Sequence, residues 1–342
     1  KSAILFLFIF FHSNISSEEM TQYNPDDQGV ISIMYHRFEE NKYPSTNIRM
    51  NIFLEHIDAI KNNGFEFYNP KLFDEQFDKP KDNKKILLTV DDAFLSFYEN
   101  AWPILKKNEI PFILFVSTEP IGKRGYMTWE QIKEIEKEKF AFIGNHSHTH
   151  EYLINFSFSD FKDDIKKSIK IFNSNLGYNP IFFSYPFGEY SLEQKNFIKE
   201  NFEYAFGQHS GVIDSTKDKY ELPRFPINEK YGETERFKTI LKTLPFPFKS
   251  IQPEERYIDN NNNPPKVSIQ FYENIKNLNN INCFSNEQDK WRNSKINFEN
   301  KYLLRIKLEG KFITERGRIN CSQREENGFY RWLGIQFVIK EK

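Results

Sequence analysis

The sequence predicts an α/β protein: a distorted (β/α) barrel of about seven parallel strands, followed by a small C-terminal antiparallel β-sandwich. Three observations carry this expectation. Strand-like and helix-like segments alternate from about Ile31 to Arg224, as repeated βα units do when helices pack outside a parallel sheet. The number of such units favours a barrel over an open sheet. Near residue 250 the pattern changes to two-residue alternation without a good helix, which reads as antiparallel β-structure. The expected division is a leader at 1–17, a first domain at 28–250 and a second at 263–342.

In chain order, Ile31–Tyr35 reads as a buried strand. Ile52–Asn62 reads as a helix with Phe53, Ile57 and Ile60 on one face and Gly64 as its stop. Phe65–Tyr68 is a short strand and Ile86–Val90 a strong one. A helix follows from about Leu95 to Asn108, interrupted at Pro103, and then the strand Phe112–Val116. Thr128 opens a capping box closed by Gln131, so a helix begins there. Phe140–Ile143 is a strand, and Phe161, Ile165, Ile169, Phe172 and Leu176 mark an amphipathic helix stopped by Gly177. Ile181–Tyr185 is a strand, Ser191 and Gln194 form a second capping box, and Tyr204–Gly207 is a late short strand. Asn260–Asn263 with Pro264 and Pro265 reads as a linker. Beyond it, Val267, Ile269 and Phe271 share one face, as do Leu304, Ile306 and Leu308, and Leu333, Ile335, Phe337 and Ile339.

Net charge is −1 with the signs mixed, which argues against a nucleic-acid partner held by bulk electrostatics. Lys1, the apolar run Ala3–Phe11 and the small residues Ser16 and Ser17 form a signal-peptide pattern. The run is too short to span a bilayer comfortably; an uncleaved anchor is the alternative. The expectation is an exported chain, periplasmic or extracellular, monomeric, with no stable membrane span after cleavage. In that compartment the two cysteines, Cys283 and Cys321, suggest one disulfide, against the alternative of two buried thiols.

Three short segments follow predicted strands: Thr89–Ala93 (TVDDA), Gly144–His150 (GNHSHTH) and Ser184–Gly188 (SYPFG). In a barrel of βα units these strand ends share one mouth. His146 and His150 are four residues apart, so one helical turn would point both rings the same way, a metal-ligand spacing. A carboxylate from another strand end would complete three protein ligands and leave a position for water. A polar loop with incidental histidines is the alternative. Asp91 and Asp92 are adjacent carboxylates that repel unless a cation is present; a helix N-cap is the other reading.

Taken together, the segments resemble the polysaccharide deacetylase family, carbohydrate esterase family four, also called the NodB-homology domain. TVDDA is similar to its T-F-D-D-G motif; His146, Ser147 and His150 meet its H-[ST]-x-x-H motif; Pro186, Phe187 and Gly188 meet its P-[FY]-G motif. Tyr35–Phe38 (YHRF) resembles the opening strand of the subgroup acting on exported poly-N-acetylglucosamine. The likeness spans about residues 28–230. It implies a divalent metal, usually zinc, held by Asp92, His146 and His150, with Asp91 as general base on a metal-activated water. It also implies an oxyanion site from the metal and a backbone N–H near Tyr185, with Pro186 and Phe187 beside the substrate. The reaction would be removal of N-acetyl groups from an N-acetylated polysaccharide with release of acetate. His148 would face away, and Ser147 would orient the loop.

The pattern also departs from the family. Ala93 stands where glycine is usual. Ser184 replaces an arginine that orients the base, so Arg224 and Arg37 are the candidates for that role, with surface ion pairs as the alternative. The late L-x-H motif of the general acid is missing; His209 is the best substitute, His36 a further candidate, and His56 is on a helix and irrelevant. A glycan-binding barrel without turnover is therefore the competing function. A glycoside hydrolase would need paired acids across a cleft, which the histidine-rich segment does not suit. In the second domain, Trp291, Tyr330 and Trp332 are expected to fill the β core, with sugar stacking as the alternative.

Overall fold

The computed structural model describes residues 28–79 and 83–340; the expected signal segment 1–17 and His12 lie outside them. Six strands lie side by side in parallel: β1 (Val30–Tyr35), β2 (Lys85–Val90), β3 (Phe112–Val116), β4 (Ala141–Asn145), β5 (Phe182–Ser184) and β6 (Tyr204–Phe206). A seventh, β7 (Phe225–Pro226), pairs in parallel with the outer edge of β1, which also takes Val212–Ile213 in antiparallel. The strand path is an open, curled half-barrel. The expected barrel is thus not closed by a full ladder. Between β6 and β1 runs one segment, in which Leu222 bridges Phe206 and Phe225 pairs with Ile33. This segment contains Pro223 and Pro226, which have no N–H to donate to a continuous ladder.

Helices cover the outside. Besides the single turn Phe73–Gln76, they are α1 (Met50–Asn62), α2 (Trp102–Lys107), α3 (Trp129–Glu136), α4 (Phe158–Leu176), α5 (Leu192–Asn201) and α6 (Thr234–Ile240). Both predicted capping boxes form, at Thr128 with Gln131 and at Ser191 with Gln194, and each satisfies N–H groups that the first helical turn would leave bare. Gly177 ends α4 with φ of 83°, a left-handed cap that a side chain would disfavour. The expected long helix around Pro103 begins instead as a π-turn, Phe97–Ala101, and Pro103 sits in the first turn of α2, where its missing N–H costs little.

Strand parity positions the site. Alternate residues of a strand face opposite sides. On β2, Ile86, Leu88 and Val90 pack outward with the helices, while Leu87 joins an inner aromatic cluster. The same parity turns Thr89 and Asp91 inward. On β3, Ile113 and Phe115 face in, and Phe112, Leu114 and Val116 face out. Phe182, Tyr204 and Phe206 add inner rings from β5 and β6. The floor of the half-barrel is therefore a dry aromatic layer, and the polar residues come together above it at the C-terminal strand ends.

The C-terminal region holds two sheets. One contains β8 (Phe248–Gln252), β9 (Val267–Phe271), β11 (Lys295–Asn300) and β12 (Leu303–Lys307); the other contains β10 (Ile281–Ser285), β13 (Arg316–Arg324) and β14 (Tyr330–Ile339). Their facing residues, among them Ile269, Phe271, Ile306, Ile319 and Phe337, form one hydrophobic cluster. The second sheet is mixed rather than purely antiparallel, because Thr243–Pro245 and Tyr257–Ile258 join β14 in parallel. The expected separation at 250–263 also shifts. β8 pairs with β9 across it, and Asn263 is buried with its side chain bonded to both backbone groups of Phe312. The aromatic residues expected in this core are elsewhere: Trp291 is 53% exposed, and Trp332 packs towards the half-barrel.

Cys283 and Cys321 face each other on β10 and β13 and are joined in a disulfide between fully buried positions. The link closes a loop with a sequence separation of 38. Replacing both cysteines by alanine should destabilise the chain by about 2–4 kcal/mol, chiefly through the unfolded state. Urea denaturation of the double variant checks this, and an unchanged midpoint would contradict it.

Candidate active site

Asp91 is the most constrained group in the site. It is fully buried, and Arg224 grips it with two bonds, Nη1 to Oδ1 at 2.7 Å and Nη2 to Oδ2 at 2.9 Å. The guanidinium spends its other N–H groups on Gly207 O at 2.9 Å, Thr89 Oγ1 at 3.2 Å and Ser184 Oγ at 2.7 Å. It lies over the Phe115 and Phe206 rings at 5.4 and 5.9 Å. Burial alone would raise the Asp91 carboxyl; Arg224 beside it, with His146, outweighs this and holds it below the ordinary carboxylate range. Ser184, where the family carries arginine, thus accepts a bond from the arginine that arrives from the other side of the sheet. Arg37 does not reach Asp91. It pairs with Glu40 at 2.7 Å and lies over the Phe94 and Tyr43 rings.

Asp92, His146 and His150 each offer one ligand atom, and the three atoms lie within 4.8 Å of one another. Asp92 Oδ1 is 3.1 Å from His150 Nε2 and 3.5 Å from His146 Nε2, and the two Nε2 atoms are 3.2 Å apart. His146 is fixed from behind: its Nδ1 faces Ser184 O at 2.7 Å, so Nδ1 carries the proton and Nε2 presents a lone pair. Burial holds the His146 ring neutral, with its pKa lowered to about 4. Asp92 Oδ1 is buried without a hydrogen-bond partner, which is costly for a carboxylate unless a cation completes it. The donor set and the orphaned oxygen fit a divalent ion.

The local backbone achieves this differently from the expected helical turn. Residues 146–150 form a bent loop in which Ser147 and His150 have φ of 70° and 56°. Asn145 Oδ1 accepts from Ser147 N at 2.9 Å, and Ser147 Oγ accepts from His150 N at 3.1 Å. His148 turns away to Thr118 Oγ1 at 2.8 Å, while Asp164 holds the backbone of His148 and Thr149. Asp92 and Ala93 also have positive φ, 75° and 54°. The glycine usual at position 93 would relieve that strain.

The third segment supplies a wall. Phe187 lies 4.9 Å from the His150 ring and stacks on Tyr152 at 4.3 Å. Tyr185 is buried, and its N–H already donates to Phe206 O at 3.1 Å. That group belongs to the sheet and cannot also serve an oxyanion. Pro186 is buried beside it. His209 lines the same cavity, but its charged neighbours are Glu221, Arg256, Lys217 and Lys195, and burial lowers its pKa to about 4. His36 is the imidazole the motifs left in the background. Its Nε2 is 4.0 Å from Asp91 Oδ2, its Nδ1 is buried without a partner, and burial lowers its pKa against the raising effect of Asp92 and Asp91. His56 serves packing, held between Tyr35 Oη and Gly232 O.

These groups open on a cavity of about 590 Å³ lined by Asp92, His150, His36 and Phe187 on one side and by Trp291, Arg316, Arg318, Asn320 and Trp332 on the other. The C-terminal sheets are held there by Trp332 Nε1 donating to Ser210 Oγ at 2.8 Å and by Gln336 Nε2 donating to Phe187 O and Gly188 O at 3.3 and 3.2 Å. A Cβ at Gly334 would meet Ser210 O at 2.4 Å, so only glycine allows this approach.

The Arg224–Asp91 pair makes a stability prediction. Arg224→Ala should cost about 3–5 kcal/mol, because it strands a buried carboxylate. The double variant Arg224→Met, Asp91→Asn should recover part of that loss. Urea denaturation of the three proteins checks it, and a loss below about 1 kcal/mol for the single variant would place the pair among ordinary surface bridges.

Known proteins resemble this chain over part of its length. Residues 78–204 match the family model for polysaccharide deacetylase. A poly-beta-1,6-N-acetyl-D-glucosamine N-deacetylase of Staphylococcus epidermidis is 27% identical over 197 residues, covering 53% of this chain and 68% of the relative. In fold, the chain is similar to IcaB from Ammonifex degensii, with a TM-score of 0.54 at 22% identity over 62% of this chain and 97% of that one. It is also similar to the Streptococcus pyogenes deacetylase PplD in complex with acetate, with a TM-score of 0.56 at 22% identity over 63% and 99%. The three strand-end segments of the half-barrel fall where the family model matches: residues 78–204 are similar to a polysaccharide deacetylase domain.

Proposed function

We propose that this chain is a metal-dependent hydrolase that removes N-acetyl groups from an exported or cell-wall polysaccharide. The observation that carries the proposal is the juxtaposition of an Arg224-held carboxylate, Asp91, with three converging ligand atoms of Asp92, His146 and His150, of which Asp92 and His150 line one cavity. The polysaccharide named for the Staphylococcus epidermidis relative makes a poly-N-acetylglucosamine one member of the substrate class. All four groups come from a single chain, so a monomer suffices.

Asp92, His146 and His150 would hold the ion, with zinc the best match to two imidazoles and one carboxylate. The chemistry such an ion supplies is polarisation of the acetamide carbonyl and acidification of water at neutral pH. Asp91 stays ionised under the Arg224 guanidinium. Its Oδ2 lies 3.8 Å from His146 Nε2, which makes that oxygen the acceptor of the proton from the attacking water. The proton taken up by Asp91 passes to the leaving nitrogen by way of His36, whose Nε2 is 4.0 Å from Asp91 Oδ2, rather than the expected His209, whose ring environment is the Glu221 cluster. Acetate and a free amine on the sugar are the products. Phe187, stacked on Tyr152, shields the reacting group from bulk water. The competing reading as a turnover-free binding barrel rests on the missing arginine and the missing late histidine motif; the two bonds from Arg224 to Asp91 support turnover on the first count.

Export fits the same reading. A disulfide persists in oxidising compartments, and no helix among the described residues is long and apolar enough to cross a membrane. The proposed layout is a leader, the deacetylase half-barrel and a C-terminal β region.

Two measurements test the proposal. With zinc present, Asp91→Asn should lower acetate release from N-acetylglucosamine oligomers at least about a hundredfold; equal rates would remove Asp91 as the base. Calorimetric titration of zinc into the metal-free chain should give one site per chain, lost in His150→Ala. Retention of tight one-to-one binding by that variant would overturn the ligand assignment.

A further inference from the structure

The cavity has a second end that deacetylation of a neutral sugar does not require. Along β13, parity turns Gly317, Ile319 and Cys321 into the core, and Arg316, Arg318 and Asn320 towards the cavity. Arg236, from α6, lines it as well. The charged residues lining the cavity, besides its histidines, are therefore three guanidiniums and the carboxylate of Asp92, and Asp92 belongs to the ligand set.

Two of the three guanidiniums, Arg318 and Arg236, have no carboxylate partner among the described residues. Arg316 Nε bonds Glu189 Oε1 at 2.6 Å, yet its Nη2 is buried without a hydrogen-bond partner, with Glu315 Oε2 3.8 Å away. Arg318 reaches a neutral acceptor, Gln336 Oε1, at 3.4 Å. Arg236 donates to the carbonyls of Pro226 and Tyr231. Among the described residues, neither Arg318 nor Arg236 forms an ion pair. Burial, together with the neighbouring Arg316, pulls Arg318 below the usual arginine range, while Arg236 and Arg316 lie over the Tyr231 and Phe187 rings at 5.1 and 5.4 Å. Guanidiniums with unspent, partly desolvated N–H groups are suited to carboxylate and phosphate oxygens. Trp291, 53% exposed on the same cavity, offers a ring face on which a neighbouring sugar can stack. The volume of about 590 Å³ lies within the range of ligand pockets and accommodates more than one reacting acetamide.

From this wall we infer that Arg318, with Arg316 and Arg236, binds an acidic group on a sugar next to the one deacetylated, so that the substrate is an anionic N-acetylated polysaccharide. The inference rests on the deacetylase reading for its reaction, while the binding itself does not. Carboxylate and phosphate substituents share the required chemistry.

The test uses the full chain and three N-acetylated oligosaccharides of equal length: neutral, carboxylate-bearing and phosphate-bearing. The expected result is a higher kcat/KM on one acidic oligosaccharide than on the neutral one. That ratio should fall at least about tenfold in Arg318→Gln and less in Arg318→Lys, which keeps the charge. The acid preferred by the wild-type chain names the source. A wild-type ratio near one, or a ratio unmoved by Arg318→Gln, overturns the inference. If no oligosaccharide releases acetate, the deacetylase reading fails, and calorimetry with the same three ligands then decides the subsite: binding of an acidic ligand lost in Arg318→Gln supports it, and indifferent binding overturns it.

Discussion

The bidentate pair between Arg224 and Asp91 organises the half-barrel. It joins the end of β2 to the segment that spans the gap between β6 and β1, and it lies on rings from β3 and β6. A carboxylate buried at this depth is tolerable only with a fixed counter-charge and filled lone pairs. Arg224 provides the charge, and its remaining N–H groups are absorbed by Gly207, Thr89 and Ser184. The same pair therefore ties the open edge of the sheet and keeps Asp91 ionised. Structure and chemistry draw on one interaction.

Around that pair lie five of the ten non-glycine residues with positive φ among the described residues. Asp92, Ala93, Ser147, His150 and Phe187 all have positive φ without being glycine, and all belong to the three strand-end segments. Such conformations persist where surrounding bonds over-determine them, and they gather at functional sites. Here the restraints are visible: Asn145 and Ser147 hold the histidine loop, and Asp164 anchors its far side. The unpaired Asp92 oxygen is the residual tension that a cation would relieve.

The C-terminal sheets extend this site rather than stand apart from it. β14 donates Trp332 and Gln336 to Ser210, Phe187 and Gly188, and β13 lines the cavity with Arg316, Arg318 and Asn320. The cavity thus has a ligand-rich end from the half-barrel and a cationic end from the second region. Trp332, expected in the β core, is drawn out of it by this docking, which gives its N–H a partner that a dry core would not supply.

Sequence alone determined what depends on near neighbours. Capping boxes and the glycine stop after α4 follow from spacing of a few residues, and the three segments carry the ligand and base candidates on their face. Tertiary structure decided every choice between residues distant in sequence. It selected Arg224 over Arg37, turned His36 rather than His209 towards Asp91, took the Tyr185 N–H into the sheet, and moved Asn263 from a linker into a buried pairing with Phe312. The physical reason is that local patterns fix which face a side chain occupies, while the partner it meets depends on how the sheet curls and which segment bridges its open edge.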